Sequence, residues 1–269
     1  MPISSPHLIK PGKAVHIEKL STDFTGDFKD KDDALKVAQK NLKRLAELQE
    51  LLYAESKHAV LVVLQATDTG GKDGAIEFVF SGINPQGCRV ESFKAPSTLE
   101  RSHDYLWREH MRCPSRGMIG IFNRSHYEDI LITRVARTID TKTAQRRFRQ
   151  INDFERMLSE EGTTILKFFL HISKDEQKDR LIARQQDKAK WWKFSPADLE
   201  ARKQWAEYQK AYEDMLAHTS TDYAPWYAIP ADRKWYRNWA ISDILVRAIE
   251  ALDPKYPKPE VDPRKFLIE

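Results

Sequence analysis

Apolar residues along the chain follow two rhythms. From Asp32 to Ser56, Ala34, Val37, Leu42, Leu45, Leu48 and Leu52 recur at helical spacing and predict an amphipathic helix. Val60–Ala66 is a nearly unbroken apolar run, the signature of a strand covered on both faces. Further strands are predicted at Arg89–Phe93, Met118–Phe122, Thr164–Ile172 and Trp226–Pro230. Between them lie helical stretches: one opening at Ala75–Phe80, Thr98–Met111, and one marked by Phe148, Ile151, Phe154 and Leu158 that stops near Gly162. A charged helix starts at Lys174, a long one runs from Ala197 to about Ala217, and a last one spans Trp235–Leu252. Gly82–Gly87 reads as a turn through its Asn-Pro and Gly residues. Strands alternating with helices predict an α/β fold, a parallel sheet with helices on both faces. Residues 1–30 are polar and contain Pro and Gly, an N-terminal arm ahead of a single domain over 31–269.

In such a sheet the ligand sits outside the carboxyl ends of the strands, and the first predicted strand runs straight into Ala66-Thr67-Asp68-Thr69-Gly70-Gly71-Lys72-Asp73-Gly74. Strand, glycine-rich turn, lysine and helix together form a phosphate cradle: backbone N–H groups and the helix N-terminus face the oxygens, and lysine adds a point charge. The spacing is that of a P-loop with two departures. Ala66 stands in place of the first glycine, and Asp73 in place of the magnesium-binding Ser or Thr. The plainer alternative is a tight turn into a helix, which the strongly apolar strand before it disfavours. Thr69, Gly70, Gly71, Asp73 and Gly74 are the candidate phosphate-binding residues, with Lys72 and Asp68 as catalytic ones.

Composition narrows the class. With 269 residues, 41% hydrophobic and 31% charged, the chain can bury a core. No stretch approaches the about 20 apolar residues of a membrane span, and the N-terminus lacks a secretory pattern. Two cysteines, Cys88 and Cys113, lie outside any paired metal spacing and suit a cytoplasmic protein. A net charge of +4 from 44 basic and 40 acidic residues is too balanced to point to nucleic acid. Basic residues gather locally, however: Lys178, Arg180, Arg184, Lys188, Lys190 and Lys193 face only Asp179 and Asp187. That run is a solvated helix face or a groove for a polyanion.

Two more segments carry candidate chemistry. The strand ending at Phe122 leads into Asn123-Arg124-Ser125-His126-Tyr127-Glu128-Asp129. In a P-loop fold the end of a neighbouring strand brings a second acid to the metal, so Glu128 and Asp129 are candidates for that charge and Arg124 for a phosphoryl contact. The alternative is a helix start capped by Ser125, with acids favoured in the first turn by the dipole. Lys190-Trp191-Trp192-Lys193-Phe194-Ser195-Pro196 can close over a substrate as a lid, while Ser195-Pro196 also suits a helix N-cap and first position. His103, His110, His126 and His171 show no metal-ligand spacing and are read as structural.

Taken together, Asp68–Gly74, Asn84-Pro85, Phe122–Asp129 and Trp192–Leu199 resemble the polyphosphate kinase-2 family, with the motifs in its order from about Leu45 to Leu252. The resemblance implies an adenylate- or thymidylate-kinase-like P-loop fold with a helical lid at about 178–200. It implies a reversible transfer of the terminal phosphoryl group of inorganic polyphosphate to AMP or ADP, with GMP and GDP as further acceptors. It also implies Mg²⁺ (or Mn²⁺), a homo-oligomer of dimer or tetramer type, and neither a nucleic-acid nor a membrane partner. Many relatives begin the second motif with Asp, where this chain has Asn123. The Asn-Arg-Ser-His-Tyr-Glu-Asp form looks like the family's third class, whose members phosphorylate both mono- and diphosphates. On that reading Asp68 and Glu128 hold the metal, Asn123 and Asp129 join the nucleotide or phosphate contacts, and Arg184, Lys193 and Lys210 face the polyphosphate. Two rivals stay open: an ATP-dependent nucleotide kinase of the same fold, and a non-catalytic polyanion-binding module whose Trp and Phe residues stack bases.

Overall fold

Five parallel strands order the molecule, whose computed structural model describes residues 2–268. They are β1 (Ala59–Ala66), β2 (Cys88–Ser92), β3 (Ile119–Asn123), β4 (Thr163–His171) and β5 (Trp226–Pro230), arranged β2-β3-β1-β4-β5. β1 is central and every one of its residues is buried, which explains its unbroken apolar run. The helices are α1 (Lys31–Glu55), α2 (Lys72–Val79), α3 (Thr98–Arg101), α4 (Trp107–His110), α5 (Glu128–Val135), α6 (Thr141–Glu160), α7 (Lys174–Gln186), α8 (Pro196–Lys203), α9 (Trp205–Thr219) and α10 (Lys234–Glu250).

Alternation along the strands sorts the core into two layers. Val60, Val62, Leu64 and Phe168 pack with Leu45, Leu48 and Leu52 of α1 and Ile241, Ile244 and Leu245 of α10. Leu61, Val63, Phe122 and Phe169 point the other way, onto Ile130 of α5, Ile151 and Phe154 of α6, and Met215 and Leu216 of α9. Each fully buried side chain of this kind contributes about 1.5–3 kcal/mol. The chain leaves β1 toward one edge of the sheet and returns after β3 to the other. The carboxyl ends of β1, β3 and β4 therefore open together, at the crevice where ligands of such sheets bind.

Two segments differ from the sequence expectation. Thr98–Met111 is two short helices, because Asp104 Oδ1 accepts the Leu106 N–H (3.0 Å) and this local bond replaces the helical ladder. The helix expected over Ala197–Ala217 breaks at Gln204, whose N–H closes a tight bond to Ala201 O (3.1 Å). Ser195 does cap α8, accepting from Ala197 N–H (3.2 Å), with Pro196 at the first position. The N-terminal arm is extended and anchored on the sheet. Ile9 N–H donates to Trp226 O and Ala228 N–H to His7 O, each at 2.9 Å, and Ile9, Val15 and Ile17 are buried. The arm thus covers the otherwise open edge of β5.

Candidate active site

β1 ends at Ala66, and the chain turns through Thr67–Gly71 into α2, whose first residue is Lys72. The turn needs its glycines. A Cβ at Gly70 would lie 2.4 Å from the Ala66 Cβ, and Gly71 has φ +94°. Thr69 also takes a left-handed conformation (φ 61°), which costs a non-glycine residue energy and recurs at functional sites. Lys72 Nζ donates to Ala66 O (3.1 Å). Burial and the nearby Arg124 push its pKa down, opposed by Asp68, Glu128 and Asp73. The Thr67 and Thr69 hydroxyls are buried and meet no protein partner among the described residues. A loop of this form at a helix N-terminus is an anion cradle.

The second motif places its residues on opposite sides of one turn. Arg124, again left-handed (φ 65°), donates its N–H to Leu64 O (3.2 Å) and reaches Asp68 Oδ1 with Nη2 (3.3 Å). Ser125, His126 and Tyr127 turn into the core. Ser125 is not the helix cap: α5 begins at Glu128 without a side-chain cap, and the Ser125 hydroxyl is spent on the Tyr127 N–H (3.3 Å) and on Gln65. The Gln65 amide satisfies both neighbours when its nitrogen faces Glu128 Oε1 (2.9 Å) and its oxygen faces Ser125. Burial raises the Glu128 pKa and the Asp68 charge adds to it, against the pull of Arg124 and Lys72.

Asp68, Arg124 and Glu128 line one cleft that opens to solvent. Its other walls are largely apolar and aromatic: Leu131, Ile132, Trp205, Tyr208 and Tyr212. Asp129, expected among the phosphate contacts, does not line it. Its carboxylate lies between Arg108 (3.8 Å) and Arg147 (3.9 Å), because the residue after Glu128 on a helix points some 100° away.

Lid and loop meet at Asp73. One carboxylate oxygen accepts from Asn123 Nδ2 (2.9 Å), the other from Lys193 Nζ (2.8 Å). Burial opposes ionisation there, but Lys193 and Asn123 outweigh it and hold the Asp73 carboxyl below its ordinary range. Asp73 therefore ties β3 and the lid to α2 in place of the hydroxyl of a standard P-loop. Arg184, expected to face polyphosphate, staples the lid together through Asp198 Oδ2 and Lys193 O, both at 2.9 Å. Trp191 and Trp192 stay exposed. Lys210 is exposed on α9, outside the face that carries Tyr208 and Tyr212, so it does not join the cluster.

Several contributors escaped sequence reasoning. Gln177 Nε2 donates to Asp68 O (3.2 Å) and Arg180 Nη1 to Thr69 O (3.1 Å), so α7 braces the glycine loop. Arg180 sat inside the basic run, where spacing gives no sign of which residue turns inward. Tyr208 and Tyr212 carry an i, i+4 signal, but only the break at Gln204 aims them at the cleft. Of the four histidines read as structural, His126 and His171 are buried and His103 and His110 exposed, and burial lowers the His171 pKa to about 4. Burial raises the Cys88 and Cys113 thiols to about 11 and about 12, which disfavours the thiolate form. No helix among the described residues is long and apolar enough to cross a membrane.

A parallel sheet with a glycine loop and lysine after β1, a facing arginine and acid after β3, and a basic lid defines a phosphoryl transferase of the P-loop kinase type. The chain belongs to the polyphosphate kinase 2 family, whose model, "Polyphosphate kinase 2 (PPK2)", matches residues 28–257. It is 52% identical over 262 residues to the AMP/ADP-polyphosphate phosphotransferase of Meiothermus ruber, covering 97% of this chain and 98% of that one. It is 44% identical to the ADP-polyphosphate phosphotransferase of Rhodopseudomonas palustris, over 96% and 93% of the two chains. The crystal structure of polyphosphate kinase 2 from Arthrobacter aurescens TC1 superimposes with a TM-score of 0.91 at 40% identity, over 98% of this chain and 97% of that one.

Proposed function

We propose that this protein transfers the terminal phosphoryl group of inorganic polyphosphate to AMP and ADP, with Mg²⁺ as its cofactor. The observation that carries the reading is the convergence of Lys72, Asp68, Arg124 and Glu128 at the strand ends, beside an aromatic cleft and under a basic lid. The names of the two relatives above support both acceptors.

The acceptor is already ionised, so no strong base is required; one of its phosphate oxygens attacks the terminal phosphorus. A P–O bond to the acceptor forms as the P–O–P bridge to the chain breaks, and the shortened chain leaves with the bridging oxygen. Charge spreads over the moving group, and rate comes from positioning and electrostatic stabilisation. Lys72 and the Gly70–Gly74 amides hold the donor phosphates. Arg124 neutralises the moving group, and Lys193 together with Asp73 keeps the lid over it. The cleft of Leu131, Ile132, Trp205, Tyr208 and Tyr212 takes the acceptor's base. Asp68 and Glu128 fit Mg²⁺: both offer carboxylate oxygens to one cleft, and the partnerless Thr67 and Thr69 hydroxyls lie in the adjoining loop. When bound, Mg²⁺ neutralises phosphate charge and orients the reacting groups.

The test is donor and acceptor choice. Purified protein with Mg²⁺, long-chain polyphosphate and either AMP or ADP is expected to give phosphorylated nucleotide from both, read by chromatography. Turnover with ATP plus AMP and none with polyphosphate would replace the reading with an ATP-dependent nucleotide kinase. Polyphosphate binding without turnover from any donor would leave a binding module.

A further inference from the structure

One glutamine on the wall of the cleft joins the lid to the glycine loop. Gln177 of α7 is only 2% exposed, and both ends of its amide are taken. Nε2 donates to Asp68 O (3.2 Å), whereas Oε1 accepts from Arg202 Nη1 (3.0 Å). Arg202 stands in the last turn of α8, the helix that closes the lid segment. The same Nη1 also donates to Lys174 O (2.6 Å) at the start of α7. Among the described residues its guanidinium has no carboxylate partner.

These contacts meet at a strained point. Thr69 is left-handed (φ 61°), and the carbonyls on either side of its Cα are both held from α7: Asp68 O by Gln177 and Thr69 O by Arg180 (3.1 Å). Such a conformation persists only where its surroundings over-determine it. A glutamine amide donates at one end and accepts at the other. Arg202 therefore fixes which end faces Asp68: with Oε1 drawn to the guanidinium, Nε2 is left for the carbonyl. Turned over, the amide would set its oxygen against Asp68 O and its NH₂ against Arg202. Just past Arg202 the chain breaks at Gln204 into α9. Ala201 and Trp205, on either side of that break, line the cleft together with Gln177 and Asp68.

We infer that Gln177 is a positioning residue for the transfer. It couples docking of α8, through Arg202, to the turn that presents Asp68 and the Gly70–Gly74 amides. This rests on the proposed transfer reaction. Gln177 acts by holding the Asp68–Thr69 peptide, not by touching the moving phosphoryl group. Its loss leaves the binding groups in place but lets the turn relax, and a misplacement of about 1 Å can cost about a hundredfold in rate. The cost falls on kcat more than on KM.

The experiment measures kcat and KM for polyphosphate, at saturating ADP and Mg²⁺, in the parent, Gln177→Met, Gln177→Glu, Arg202→Ala and the double variant of Gln177→Met with Arg202→Ala. Gln177→Met is expected to lower kcat about tenfold, with KM within about twofold of the parent. Gln177→Glu keeps the shape but has no N–H for Asp68 O, so its kcat is expected to fall at least as far. A Gln177→Glu kcat near that of the parent would reduce Gln177 to filling space and overturn the inference. Arg202→Ala alone is expected to lower kcat about fivefold, and to add less than about twofold in the double variant, because the two residues form one path. Losses that multiply would overturn the coupling. Arg202 is only half-buried, so if neither Gln177 variant folds its own variant decides, and an unchanged kcat there overturns the inference. A parent without turnover removes the transfer reading and this inference together; an active parent with unmoved variants removes only the coupling.

Discussion

Two charged clusters spring from the segment Asn123–Asp129 and use their charges in opposite ways. On its inner side, Lys167 Nζ donates to Glu155 Oε2 (2.5 Å), Tyr127 Oη (2.8 Å) and Thr219 O (2.7 Å). Glu155 Oε1 in turn accepts from Tyr127 Oη (2.8 Å) and meets His126 Nε2 (3.2 Å). Lys167, Glu155, His126 and Tyr127 are all fully buried. Burial alone would raise the Glu155 pKa, but Lys167 and His126 outweigh it and hold the carboxyl below its ordinary range. On the outer side, among the described residues, Lys72 Nζ has one carbonyl, the Arg124 side chain one contact at 3.3 Å, and the Thr67 and Thr69 hydroxyls none. The backbone is left-handed at both Thr69 and Arg124. A network whose charges are paired fixes position, even with the buried His126 Nδ1 left without a partner among the described residues; one whose charges are sparsely paired on a strained turn keeps them for a ligand. The inner cluster anchors the turn that presents Arg124 and Glu128 to the outer one.

The contrast breaks most sharply at Lys167. Lys167→Met takes the lysine from the buried Glu155, leaving it only Tyr127 and His126, and is expected to cost about 3–5 kcal/mol of stability in chemical denaturation. Replacing Glu155 and Lys167 together by apolar residues is expected to cost far less than the single change. Equal losses would mean that the network holds nothing in place. A milder test lies at the lid. Asp73→Asn removes an exposed pair with Lys193, and should raise the donor KM about two- to fivefold at low salt, with the difference fading at high ionic strength. A salt-independent effect would assign Asp73 a role other than tying down the lid.

The smallest effect sharpens the outer cluster. The folded-state pKa of Glu128 is raised, so its charged form is a stability cost at neutral pH. That cost disappears as pH falls through the folded pKa and the group takes up its proton. Glu128→Gln is therefore expected to melt higher than the parent at neutral pH, with the gap closing toward acid, while its Mg²⁺-dependent turnover drops. A gap that widens toward acid would reverse the sign and refute burial as the cause.

Much of this was legible in the chain because apolar runs and glycine turns are local signals. Val60–Ala66 and Thr164–Ile172 announce buried strands, and Asp68–Gly74 announces a phosphate loop, from neighbours in sequence alone. What resisted reading depended on direction rather than identity. Asp129 and Glu128 are adjacent acids that helix geometry sends to different partners. Arg184 and Lys210 carry the right charge, yet one is spent within the lid and the other faces solvent. Arg237 carries no local sequence signal; the packing of α10 against α2 brings it to Gly71.

The central claim, that the sparsely paired cluster acts while the charge-paired one holds, is tested most directly by Lys72→Ala. Steady-state turnover with polyphosphate and ADP should be measured beside the melting temperature. Turnover is expected to fall by about a thousandfold, the scale of removing a preorganised charge from a transition state, with the melting temperature little changed. Turnover near that of the parent would contradict the account.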